Sequence, residues 1–169
     1  MGPLSSVHYS ISGIHALLRV PYTSALSALQ PPLSPQTARV EIPVRVLIVD
    51  DHEILRAGVR TLLESNPEIE VCGEASDGLE GLQKVVQLKP DLVILDIDMP
   101  GLDGFSTARE ISKLSPSVAI LLMSLHVAPN LIGIAKSSGA SGYVAKNQAA
   151  IVLLRAVDTI AHNQTFFPD

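Results

Sequence analysis

The chain has 169 residues, 47% of them apolar and 4% aromatic, and a formal net charge of −5. That is room for one domain of ordinary size with a real core plus a tail, and too few aromatic residues for a surface that stacks bases or sugars. Residues 1–40 hold Arg19 and Arg39 and no acid, which leaves −7 on residues 41–169, a poor balance for gripping a phosphate backbone.

Cys72 is the only cysteine, so no internal disulfide can form, and its place in an apolar stretch fits a small core residue in a reducing compartment such as the cytoplasm. No apolar run approaches the roughly 20 residues that a membrane-crossing helix needs. No membrane contact is expected.

Residues 1–42 are rich in Ser, Pro, Leu and Ala, and Pro21, Pro31, Pro32 and Pro35 interrupt any long helix. A turn or two of helix is the most that residues 11–20 suggest. The segment reads as a disordered extension, or as translation begun upstream of the true start, with the folded domain occupying 43–169.

From there strands and helices alternate. RVLIV at 45–49 is a first strand ending on Asp50-Asp51, and Ile54, Val59, Leu62 and Leu63 mark a helix that closes near Ser65-Asn66-Pro67. A partly alternating strand follows at 68–75. Asp77 is placed to cap a helix with Leu79, Leu82, Val85, Val86 and Leu88 at helical spacing before Pro90 stops it. Residues 92–95 (LVIL) form a short apolar run, as expected of a strand buried on both faces, and it ends on Asp96, with Asp98 two residues on. A helix at about 104–114, a strand at 119–123, a helix at about 129–138, a strand at 142–145 and a helix at about 148–162 complete the pattern. Five strands alternating with five helices, with every connection too long for a hairpin, imply an α/β fold. Its expected form is a doubly wound, flavodoxin-like (βα)5 parallel sheet in strand order 2-1-3-4-5.

In such a sheet ligands bind outside the carboxyl ends of the strands, where the winding reverses between the first and third strands. Asp50, Asp51, Asp96, Ser124 and Lys146 all fall at that edge. Three carboxylates this close repel one another unless a cation sits among them, and oxygen ligands suit Mg²⁺, which keeps positions open for a phosphate. The set has the outline of a phosphoryl-transfer site. Plainer readings stand beside it: Asp51 as the cap of the first helix, Ser124 as a strand-end turn residue, Lys146 as a solvated loop lysine. His52 and His126 flank the rim without any partner at metal-ligand spacing and read as structural or solvent-facing.

These residues, in this order, resemble the receiver domain of a two-component response regulator. Asp50-Asp51 after RVLIV, LVILDIDMPGLDG around Asp96, MSLH with Ser124 and GYVAKN with Lys146 carry the likeness over residues 44 to about 165. VLIVDDHEILRAGVRTLLE and the closing QTFFPD are most similar to the NarL/LuxR branch, in which a helix-turn-helix output domain normally follows. The chain ends where that linker would begin, so a truncated form, a fragment or a stand-alone receiver is expected, with no direct DNA binding of its own.

The resemblance implies that Asp96 is the phosphoacceptor for a sensor histidine kinase, in a signalling domain rather than an enzyme acting on a separate substrate. It implies Mg²⁺, with Mn²⁺ as an alternative, held by Asp51, Asp96 and the backbone carbonyl of Asp98, and by Asp50 through a water. Ser124 and Lys146 would bind the phosphoryl group, and Tyr143 matches the family's switch aromatic, against a plain reading as a rim aromatic packed on the last helix. Homodimer formation on phosphorylation is the expected output, through the surface of the fourth helix, fifth strand and last helix, where Leu131, Ile132, Ile134, Ile151, Val152, Leu153 and Leu154 exceed one buried stripe. Two rivals remain: a haloacid-dehalogenase-like phosphatase, whose nucleophile strand would come first and acidic pair last, and a receiver-like interaction module that takes no phosphate.

Overall fold

The computed structural model describes residues 42–125 and 128–168 in full, and 6–11 and 14–19 by their backbone. The chain divides into two compact units, Met1–Val40 and Glu41–Asp169. In the first, β1 (Ser6–Ile11) and β2 (Ile14–Arg19) pair antiparallel, with Ser6 opposite Arg19 and Ile11 opposite Ile14. This is ribbon where a turn or two of helix was expected. Val7, Tyr9 and Ile11 alternate with His8 and Ser10, a period of two that favours a strand.

The second unit follows the alternation closely: β3 (Val44–Val49), α1 (Glu53–Glu64), β4 (Ile69–Ala75), α2 (Gly78–Leu88), β5 (Leu92–Asp96), α3 (Gly104–Leu114), β6 (Ala119–Ser124), α4 (Pro129–Ser137), β7 (Gly142–Ala145) and α5 (Ala149–Ala161). Its strands pair in parallel in the order β4-β3-β5-β6-β7, which is 2-1-3-4-5 counted from β3. Asp77 caps its helix as the sequence suggests, and Asp103 does the same for α3. Asp77 accepts from Glu80 N at 2.9 Å and Asp103 from Ser106 N at 2.9 Å, each capping the helix that follows. Lys89, in the left-handed region at φ 47°, closes α2 just before Pro90.

Alternate strand residues face opposite layers. Val46, Ile48 and Ile94 pack with Val59 and Leu63 of α1 and with Leu153, Ala156, Val157 and Ile160 of α5. Leu47, Val49, Val93 and Leu95 pack with Val85 of α2, Ala108 and Ile111 of α3 and Ala135 of α4. All five residues of β5 are buried, so the strand ending in Asp96 is the centre of the sheet. Several apolar residues at helical spacing, Ile54, Leu79 and Val86 among them, are exposed instead of joining either layer.

At the other edge, residues after α5 return to cover β7. Tyr143 N donates to Phe166 O at 2.7 Å and Phe166 N to Ser141 O at 3.0 Å, so backbone groups that an edge strand leaves open are paired. Lys136 and Arg155 sit over the rings of Phe167 and Phe166, at 4.8 and 5.4 Å from the centroids, and pin the segment.

Candidate functional site at the carboxyl ends of the strands

The sheet order puts the ends of β3 and β5 side by side, with Val49 opposite Leu95. Asp50 is the residue after β3 and Asp96 the last of β5, so two carboxylates leave the apolar core together. Both are almost wholly buried, at 4% and 1% exposure. Burial of two like charges would be prohibitive without a cation. Lys146, immediately after β7, supplies one: its Nζ lies 2.7 Å from Asp96 Oδ2 and 2.9 Å from Asp50 Oδ2.

The electrostatics follow from this triangle. Burial pushes the Asp96 carboxyl up from its ordinary range, with the neighbouring Asp50 charge adding to the rise while Lys146 and the Asp98 backbone amide oppose it. Burial also disfavours the Lys146 ammonium, but hydrogen bonds to Asp96 and Asp50 outweigh it, so the lysine is held charged. The rim therefore carries one firmly positive group and a carboxylate that gains from any further cation.

Asp50 divides its oxygens: Oδ2 faces Lys146, while Oδ1 accepts from the His52 backbone N at 2.8 Å. Asp51 does not cap α1; the residue at the cap position is His52, which makes no side-chain cap bond. Asp51 turns instead into the rim. Asp50, Asp51, His52 and Asp96 each offer a ligand atom within 4.8 Å of the others. Asp96 Oδ2 is buried with Lys146 as its partner, and Asp51 Oδ1 is buried beside the His52 ring, so both oxygens keep acceptor capacity that a metal ion would use. The donor chemistry and these two oxygens fit Mg²⁺. Asp98, exposed after β5, donates its backbone N to Asp96 Oδ1 at 3.2 Å and leaves its carbonyl on the loop beside the site.

Ser124, the last residue of β6, is 2% exposed. Tyr143 on the neighbouring β7 is fully buried, and its hydroxyl hydrogen-bonds the Ser124 side chain. It lies in the layer of α2, α3 and α4, so packing on the last helix is corrected: residue 143 points to the face opposite α5. Leu125 is exposed and forms, with His52, Ile54, Leu55, Gly58 and Lys146, a largely apolar cleft of about 330 Å³ beside the rim. His126 lies outside the described residues.

Two further side chains belong to the site and escape a reading by spacing. Arg56, one turn into α1, donates to the Asp50 carbonyl at 2.7 Å and fixes the end of β3 from behind. His52 is exposed to solvent, as expected, and its Nδ1 also lies 2.8 Å from Asp51 Oδ1 and 3.5 Å from Asp50 Oδ1. A run of three consecutive residues has no metal-ligand periodicity, and only the tight turn after β3 brings the ring back over its neighbours. Gly104, at the start of α3, is required by contact: a Cβ there would lie 2.1 Å from the Asp96 carbonyl oxygen. Only glycine lets α3 close on the strand that carries Asp96.

Residues 46–158 match the family described as response regulator receiver domain. The nitrate/nitrite response regulator protein NarL of Escherichia coli is 37% identical over 119 residues, covering 70% of this chain and 55% of that protein. A protein-glutamate methylesterase/protein-glutamine glutaminase of Symbiobacterium thermophilum is 45% identical over 117 residues, covering 68% of this chain and 32% of that protein. The chain thus spans about half the length of one relative and a third of the other. Among solved structures, a LuxR-family two-component response regulator from Aurantimonas sp. superposes with a TM-score of 0.71 at 32% identity, over 73% of this chain and 89% of that one.

Proposed function

The chain belongs to the response regulator receiver family, a signalling domain of two-component systems, and on that premise we propose that Asp96 is its phosphoacceptor. The observation that carries this is the Lys146–Asp96–Asp50 triangle at the end of the central strand: a buried carboxylate with a fixed ammonium on one side and further acids, able to hold a metal ion, on the other. Receiver domains accept phosphoryl groups from histidine kinases, and a sensor histidine kinase is the donor proposed here.

Asp96 presents a carboxylate oxygen to the phosphorus of a phosphohistidine. The P–N bond breaks as the O–P bond forms, and the imidazole departs with the electron pair. Lys146 offsets charge on the phosphoryl oxygens, and because Asp50 also holds it, it is in place beforehand. Asp51, Asp96 and the Asp98 carbonyl would hold Mg²⁺ or Mn²⁺ directly, with Asp50 acting through a water; the ion when bound supplies charge neutralisation at the phosphoryl oxygens. Ser124 would give its hydroxyl to a phosphoryl oxygen. That gift exchanges its bond with Tyr143, which is how phosphate would reach the β6–β7 edge. The same groups would let the domain assist its own phosphorylation and dephosphorylation.

Of the seven apolar residues that exceed one buried stripe, Leu153 is core and Leu131, Ile132, Val152 and Leu154 are half-buried, while Ile134 and Ile151 are exposed, at 40% and 85%. We propose that phosphate promotes pairing of two copies through the α4–β7–α5 side, in the cytoplasm. Sedimentation with and without beryllofluoride and Mg²⁺ tests this, and an unchanged monomer sinks it.

The rivals lose ground. A haloacid-dehalogenase-like phosphatase has the opposite motif order, and a module that takes no phosphate has no use for a complete rim of acids, hydroxyl and lysine. The deciding experiment is labelling by acetyl phosphate or a kinase. Asp96→Asn abolishes it and Asp98→Asn only weakens it; full labelling of the Asp96→Asn protein would overturn the assignment.

A further inference from the structure

Tyr143 holds the rim with its side chain and the C-terminal segment with its backbone. Its hydroxyl bonds the Ser124 side chain, and its N donates to Phe166 O at 2.7 Å, while Phe166 N donates in turn to Ser141 O at 3.0 Å. Phe166 is thereby bridged in parallel to Gly142. The strand is shaped to receive it, because a Cβ on Gly142 would lie 2.9 Å from the Phe166 carbonyl oxygen.

The two rings straddle the edge of the sheet. Phe166 packs against the layer that holds α5, and Phe167 against the layer that holds Tyr143 and Ala135 of α4. Arg155 of α5 and Lys136 of α4 close over them, one on each ring. The segment therefore lies along β7 between α4 and α5, on the side through which two copies are proposed to pair. Its attachment is slight. Both rings are only half-buried, Lys136 and Arg155 are exposed, and residues 161–165 leading to the bridge are exposed as well, with Asn163 in the left-handed region at φ 59°. An element held by two backbone bonds and two half-buried rings opens well before the domain unfolds.

We propose that residues 164–168 are an autoinhibitory strap over the α4–β7–α5 side, latched by Tyr143 and loosened when the rim takes up phosphate. The proposal rests on the phosphoacceptor and pairing readings above and adds what keeps two resting copies apart. The strap is fitted to β7 as it stands with Tyr143 bonded to Ser124. When Ser124 turns its hydroxyl to a phosphoryl oxygen, the buried Tyr143 hydroxyl gives up that bond and the residue must resettle, since a buried polar group is costly to leave unmatched. Its backbone N moves with it, and the bond to Phe166 weakens. Release opens Ser141 O and Tyr143 N along the sheet edge and adds apolar surface to that of the already exposed Ile134 and Ile151, which a second copy covers. By linkage, a phosphoryl group that weakens the strap is itself held more tightly once the strap is gone.

The test is amide exchange at Phe166 in the full chain, with sedimentation on the same samples. Beryllofluoride with Mg²⁺ should speed that exchange about fivefold or more. Tyr143→Phe cuts the latch without any phosphate mimic and should speed it about 3- to 10-fold. Lys136→Ala combined with Arg155→Ala changes only exposed side chains; it should speed exchange about 5- to 30-fold and tighten beryllofluoride binding in a calorimetric titration. The same double variant should form pairs without beryllofluoride at a concentration where the unaltered chain is a monomer. Unchanged or slower exchange at Phe166 in Tyr143→Phe overturns the proposal, as does a double variant that exchanges faster yet stays monomeric. Failure of the phosphoacceptor reading shows instead as full labelling of Asp96→Asn, and failure of the pairing reading as an unaltered chain that stays monomeric in beryllofluoride while its Phe166 amide still responds.

Discussion

Two clusters of charge lie within one helix of each other and behave as opposites. On the outer side of β4, Glu74 accepts from Arg60 and, at 3.2 Å, from Arg56, while Arg60 also reaches Glu64 at 2.6 Å. Every charge there has a partner of opposite sign and partial access to water. Arg60's hydrogen bond holds the Glu74 carboxyl below its usual range against the opposing effect of burial. At the rim, by contrast, the acids outnumber Lys146, Asp50 and Asp96 are nearly fully buried, Lys146 must serve both of them, and the Asp96 carboxyl is pushed up. Charge alone does not make a site. Burial without full satisfaction does, because the shortfall is free energy that an arriving cation or phosphoryl group can recover. Arg56 touches both clusters, anchoring the satisfied one and, through the Asp50 carbonyl, steadying the other.

The largest effect that would sharpen this contrast is loss of the rim lysine. Lys146→Met should lower phosphoryl uptake from acetyl phosphate by about 10²-fold or more, as removal of a preorganised charge does elsewhere. Uptake within threefold of the unaltered protein, measured by phosphoprotein gel shift, would make Lys146 a structural counter-ion only.

A smaller effect tests the shortfall directly. The folded protein holds the Asp96 proton more tightly than the unfolded chain does, because the folded pKa lies above the ordinary 3.8. Stability therefore falls as pH rises from 3.8 through the folded value, and the penalty persists above it. In metal-free buffer at neutral pH, Asp96→Asn should melt a few degrees higher, the shift that about 1 kcal/mol makes in a domain of this size. The advantage should vanish below pH 3.8. Mg²⁺ should raise the unaltered protein's midpoint and leave that of Asp96→Asn nearly in place. A variant that melts lower at neutral pH would show that the rim is satisfied after all.

The outer cluster should respond in the reverse sense. Glu74→Gln removes a partner of two arginines and should cost about 1 kcal/mol, without changing Mg²⁺ binding or phosphoryl uptake. Denaturant unfolding and labelling on the same preparation separate the two. Smallest of all is the effect of the first unit: deleting residues 1–42 should move the midpoint by no more than a degree or two, below about 0.5 kcal/mol, since a two-stranded ribbon is marginal by itself. A drop of many degrees would show that it packs on the domain.

Most of the fold was legible because its signals are local. The apolar run 92–95, Pro90 behind α2 and Asp77 before that helix each act within a few residues, and the structure keeps those boundaries. The strand order came from connection length and handedness, and the observed β4-β3-β5-β6-β7 agrees. The N-terminal ribbon was less legible, because its alternation spans only residues 7–11 beside a proline-rich stretch whose composition favours no packed element. Some apolar residues of α1 and α2 were overvalued for a related reason: helical spacing shows that a stripe exists, but how wide a stripe the sheet covers depends on how the helix lies against it.

By itself, then, the sequence determined that Asp50, Asp51, Asp96, Ser124 and Lys146 stand at strand ends, since a strand's last residue is a matter of local periodicity. Tertiary structure alone decided which of them touch. Residues 50, 96 and 146 come from the ends of three strands, and their meeting at 2.7 and 2.9 Å depends on the sheet's order and on the reach of the Lys146 side chain from the turn after β7. The side that Tyr143 faces, the reach of Arg56 to the Asp50 carbonyl and the return of His52 over Asp51 are likewise products of packing. Each is fixed by contacts between elements distant in the chain, or by a turn whose shape those contacts impose, and no spacing within the sequence encodes that.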